Sequence, residues 1–71
     1  MKQLTAKETL SYVIRVVTEY LNEIQRQDPN NQDDFTYGAK TAYVECLEMI
    51  QFWEEADNEG LDYNIEDLYP L

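Results

Sequence analysis

The 71 residues carry fifteen acidic side chains against five basic ones and no histidine, a net charge of −10. A chain of this length holds one small domain with a single core, spanning residues 1–71. The acidic balance argues against binding nucleic acid through its phosphates or docking on anionic lipid.

Thr5-Ala6-Lys7-Glu8 matches a capping box, in which the Thr5 hydroxyl takes a backbone N–H while Glu8 reaches back. From there Ala6, Leu10, Val13, Ile14, Val17, Tyr20, Leu21 and Ile24 recur every three or four residues, one stripe of an α-helix. The β-branched Val13, Ile14, Val16 and Val17 lower its intrinsic propensity, so tertiary burial must hold it. The turn signal Asp28-Pro29-Asn30-Asn31 stops it, which predicts a first helix over about residues 6–27.

Asp33 or Asp34 suits the N-cap of a second helix, predicted over about residues 34–58. Its apolar stripe reads Phe35, Ala39, Ala42, Tyr43, Cys46, Met49, Ile50, Trp53 and Ala56. Positions 39, 42, 46, 49, 53 and 56 alternate by three and four, the seam of a left-handed helical packing. Gly38, Ala39 and Ala42 would let two backbones approach at one end of that seam, with Trp53 toward the other. Gly60 fits the left-handed residue that follows a helix.

Beyond Gly60, Asn64 can cap one short turn through Leu68. Leu61, Tyr63, Ile65, Leu68, Tyr69 and Leu71 give this tail enough apolar surface to pack back over the helices or onto another subunit. The short connection makes the two helices antiparallel neighbours. The expected fold is therefore all-α, an antiparallel helical hairpin with a short C-terminal turn. A hairpin leaves one side of each stripe wet. Two copies packed by a two-fold axis into a four-helix bundle, with the tail as a lid across one end, is the preferred solution; a tail-capped monomer is the alternative.

Chemistry is poorly supplied. Without histidine the usual general base is missing, and Cys46 has no imidazole to activate it. Two glycines, Gly38 and Gly60, make no phosphate loop, and one cysteine makes neither a disulfide nor an ordinary zinc site. Neither enzyme activity nor a cofactor is expected. Glu55, Asp57, Glu59, Gly60 and Glu66 echo a calcium loop, but Glu replaces Asp at its first position and Asp62 replaces an apolar residue at its eighth. No apolar run approaches the roughly 20 residues of a membrane span, and the N-terminus lacks the apolar stretch of a signal peptide. A cytoplasmic protein with no membrane partner is expected.

Charge is unevenly placed. Residues 1–40 hold all five bases and six acids, whereas residues 41–71 hold nine acids and no base. Such a surface either keeps the protein soluble or meets a basic surface on another protein. Glu54, Glu55, Asp57 and Glu59 would sit at the negative end of helix two, a local rule broken without visible compensation, which favours the second reading. The candidate partner-binding residues are Tyr37, Val44, Glu45, Glu48, Phe52, Glu55, Glu59 and Asp62. Tyr37, Val44, Glu48 and Glu55 share the outward face of helix two with Thr41, and Phe52 stands at its edge. Aromatics among acids resemble the anchors and rim of a binding site; the alternative is that the tail residues Tyr63, Leu68 and Tyr69 cover this face. The competing structural reading is a self-associating bundle whose charge serves solubility alone.

The run Phe35-Thr36-Tyr37-Gly38-Ala39-Lys40-Thr41-Ala42-Tyr43-Val44-Glu45-Cys46-Leu47-Glu48, with Gly60-Leu61-Asp62-Tyr63-Asn64-Ile65-Glu66, resembles small acidic helical proteins of Gram-positive bacteria and their phages or mobile elements. That resemblance implies a setting in which short acidic proteins bind host or rival proteins. Inhibitors of nucleic-acid-handling machinery, including anti-CRISPR proteins that imitate the charge of DNA, are one such class. It brings no functional residues to transfer.

Overall fold

The structure is a computed structural model that describes residues 3–27 and 33–71. Helix α1 spans Ala6–Gln25 and opens with the expected capping box: Glu8 N–H donates to Thr5 Oγ1 at 3.1 Å, and Thr5 N–H donates to Glu8 Oε1 at 3.0 Å. Ile14, Val17, Leu21 and Ile24 form its buried face, as the spacing requires. Tyr20 of the same stripe lies at the margin, exposed, with its ring 5.5 Å from that of Tyr43. The turn signal at residues 28–31 lies outside the described residues.

Helix α2 spans Asp34–Ile50, with Asp33 as its N-cap accepting the Thr36 N–H at 2.8 Å. It ends eight residues before the expected boundary at 58. After Ile50 the hydrogen bonds tighten to i→i+3, from Phe52 to Met49, Trp53 to Ile50 and Ala56 to Trp53, and Ala56–Glu59 is a 3₁₀ turn. The cause is both electrostatic and topological. Four acids would have crowded the negative end of a longer helix, and the chain must turn back to bury Ala56 and Leu61. Gly60, at φ 96°, makes the reversal, and Leu61 N–H reaches back to the Ala56 carbonyl at 3.0 Å.

The expected seam of α2 is misphased. Val44 and Leu47 are its fully buried residues, while Phe35 and Met49 are exposed. Tyr43, Cys46, Ile50 and Trp53 are half-buried beside the core. The true core face is rotated by about 100° from the predicted one, one residue's step round the helix. Gly38 provides no close backbone approach, for nothing lies within 4 Å of where its Cβ would stand.

The tail explains the rotation. Asn64 caps α3, Ile65–Leu68, by accepting the Glu66 and Asp67 N–H groups. Leu61, Ile65 and Tyr69, spaced by four, are all buried in the same core as Val44 and Leu47. The core face of α2 is therefore the one shared by α1 and the tail. Polar side chains of the helices hold this third layer: Gln51 Nε2 donates to the Leu61 and Tyr63 carbonyls at 3.1 and 2.7 Å, and Gln25 Nε2 donates to the Leu68 carbonyl. The Tyr69 hydroxyl donates to Asn22 Oδ1 at 2.8 Å. The tail runs from Ser11 near the start of α1, where Glu59 binds, to Asn22 and Gln25 near its end. It occupies the open side of the hairpin along its length and is not a lid across one end. With Lys7 beside Glu55 at one end and Gln27 beside Phe35 at the other, the two long helices run antiparallel.

Candidate functional site

The acids of the second half divide into two groups. Glu55 and Glu59 face the start of α1: Lys7 Nζ stands 3.5 Å from Glu55 and 3.8 Å from Glu59, and Ser11 Oγ donates to Glu59 Oε2 at 2.8 Å. These two carboxylates help pin the chain reversal to α1, so the crowding inferred from the sequence is relieved by contacts 48 residues away. Both were candidate partner-binding residues, and both are already engaged within the chain.

The second group forms an acidic groove. Glu48 from α2, Phe52 from the tightened turn, Asp57 from the 3₁₀ turn and Asp62 from the tail line one depression, with Gln51, Leu61, Tyr63 and Asn64 forming its floor and wall. Phe52 is 90% exposed. Among the described residues none of Glu45, Glu48, Asp57, Asp62 and Glu66 has an ion-pair partner; Lys7 is the cation that pairs. Negative potential accordingly builds up. Partial burial, followed by the like charges of Glu66 and then Glu45, pushes the Glu48 carboxyl above its ordinary value. On the tail, burial pushes the phenols of Tyr63 and Tyr69 up.

The other predicted residues are distributed as follows. Glu45 is exposed and lies one turn before Glu48, and Tyr37 is exposed nearer the start of α2. Val44 is fully buried beneath the tail and cannot touch a partner; its place on the outward face followed from the misphased stripe. Sequence reasoning left Asp57 and Glu66 out of the site. Their density of charge was visible, but only the 3₁₀ turn places Asp57 in the groove, and only the chain reversal at Gly60 returns Glu66 toward Glu48.

Among the described residues no group of three or more His, Cys, Asp or Glu side chains is placed to hold a metal ion. The calcium-loop echo is not assembled as a loop, because Glu55 and Glu59 turn to Lys7 while Asp57 lines the groove. No described helix is long and apolar enough to cross a membrane. No family model, no curated protein and no solved structure matches this chain.

Proposed function

We propose that this chain is a small protein-binding module that engages a basic, nucleic-acid-binding surface of another protein through the groove of Glu48, Phe52, Asp57 and Asp62. The observation that supports it most is the exposure of a large aromatic among carboxylates that have no internal counter-charge. An apolar side chain in that position costs solubility and gains nothing for the fold, whereas at an interface it is an anchor inside a charged rim. Glu45 and Glu66 extend the charged field, which would steer a basic partner and exclude acidic ones. The resemblance to phage and mobile-element proteins fits an inhibitor that occupies the site where the partner would hold nucleic acid. The reading needs no catalytic group, and it has the chain acting in the cytoplasm as a homodimer.

The test is competition. Host proteins recovered on the immobilised wild type should be released by duplex DNA, and the Glu48→Lys, Asp62→Lys double variant should fail to recover them while keeping its helical circular dichroism and melting no lower than the wild type. Equal recovery by the two proteins, or recovery that DNA does not compete, overturns the reading.

A further inference from the structure

One face of α2 is only partly covered within the chain. Phe35, Ala39, Ala42, Cys46 and Met49 follow one another along it, and Trp53 continues the line just past the helix end. The core covers this face in part: Cys46 and Trp53 pack against the core and Ala39 is half-buried, while Phe35, Ala42 and Met49 stand exposed. Phe35 is 84% and Met49 67% exposed. Every other charge of the helix (Asp34, Lys40, Glu48) projects elsewhere, and Glu45 lies at its edge. An uncharged strip in a chain of net charge −10 is conspicuous.

Its spacing is symmetric. The intervals 35–39–42–46–49–53 are four, three, four, three and four, and read the same in both directions about residue 44. We propose that this face is the contact with a second copy of the chain, the two α2 helices packing antiparallel across a two-fold axis that passes between Ala42 and Cys46, on the side of α2 away from buried Val44. This assigns the surface used by the homodimer in the functional reading above, and it rests on that reading. In this register Ala39 faces Met49 of the second copy and Ala42 faces Cys46. Phe35 meets the turn that carries Trp53. Small Ala39 thus meets large Met49, small Ala42 and Cys46 let the helices approach at the axis, and the aromatics Phe35 and Trp53 close the two ends; an isologous contact of this kind closes after two copies.

The area suffices for a weak dimer. At about 200 Å² for each large side chain, the exposed parts of Phe35, Met49 and Tyr20, which borders the same groove as Phe35, supply about 400 Å² per copy. With exposed Ala42 and the smaller exposed parts of Ala39, Cys46 and Ile50, complete burial of this surface on both copies comes to roughly 1,000 Å², the lower limit for a specific interface. One feature opposes it. The flanking position of Glu45 brings the two Glu45 side chains together beside the axis, so association should strengthen as salt rises. Binding of a basic partner should weaken under the same change.

Sedimentation equilibrium of the full chain tests this. The wild type should be a dimer at tens of micromolar, tighter by several-fold at high salt. Met49→Glu and Ala42→Glu, both at exposed positions, should be monomeric with unchanged helical circular dichroism. A mixture of Ala39→Cys, Cys46→Ala protein with Met49→Cys, Cys46→Ala protein should oxidise to a mixed covalent dimer. Neither alone should cross-link, because like positions would stand about 15 Å apart along the axis. A wild type that is monomeric throughout removes both the homodimer and this face. A dimer that survives both Glu variants, or in which each cysteine variant cross-links with itself, keeps the homodimer and overturns this face.

Discussion

The Tyr69 hydroxyl donates a 2.8 Å hydrogen bond to Asn22 Oδ1, linking the end of the tail to the last third of α1. Tyr69 is also among the largest fully buried side chains of the molecule. Its ring fills the core and its hydroxyl reaches a partner at the edge, the usual condition for burying a tyrosine. A two-helix hairpin of this size cannot cover its own apolar faces, and this residue shows how the third segment completes the job.

Two substitutions at Tyr69 should separate ring from hydroxyl. Tyr69→Phe should cost about 1 kcal/mol, the worth of one hydrogen bond. Tyr69→Ala should cost about 3–5 kcal/mol, most of the roughly 4–10 kcal/mol that a domain this size possesses. Chemical denaturation checks both; an alanine variant as stable as the wild type would mean that the tail is not part of the core.

The phase of α2 can be read from a pair of neighbours. Leu47→Ala should cost about 2–5 kcal/mol, since Leu47 is fully buried, whereas exposed Met49→Ala should stay within about 0.5 kcal/mol. Trp53→Ala should cost more than Met49→Ala but less than the ~3–5 kcal/mol of a fully buried tryptophan, because Trp53 packs against the core and keeps some exposure. Thermal melts of the three variants under dimer-free conditions give the order directly.

How far the sequence foretold the structure depended on what each pattern reports. Caps are local, and Thr5, Asp33, Asn64 and Gly60 all act where their chemistry placed them. The stripe of α1 was readable because its polar and apolar sides contrast strongly. On α2 apolar residues surround most of the helix, and the most regular run, Ala39 to Met49, is not the one that the tail covers. No local signal says which face a distant segment will choose. The same holds for the acids. Their number was plain, but only the contacts from Lys7 and Ser11 engage Glu55 and Glu59 within the chain.

Stability should depend on pH with two opposite contributions. Hydrogen bonds at the caps hold the Glu8 and Asp33 carboxyls below their ordinary values of 4.5 and 3.8. Their stabilisation is complete above those values and is lost as pH falls through the lower folded ones. Glu48 is shifted the other way, chiefly by desolvation and then by Glu66 and Glu45. Its charge opposes folding at neutral pH, and that opposition disappears as pH falls through its raised value toward 4.5. Glu48→Gln should therefore melt higher than the wild type at pH 7, with the gap closing below about pH 4.5. A gap that persists at acid pH would assign the gain to something other than charge.

The role of the acidic groove is read most directly from the association rate between the wild type and a partner it recovers, measured against ionic strength. Steering by the Glu48, Asp57 and Asp62 groove predicts a steep fall in that rate as the Debye length shrinks from about 30 Å at 0.01 M salt to about 8 Å at 0.15 M. The Glu48→Lys, Asp62→Lys variant should associate at least about tenfold more slowly at low salt, with little remaining salt dependence. A rate that is the same for both proteins and flat in salt would contradict the central claim and leave the acids as a solubilising coat.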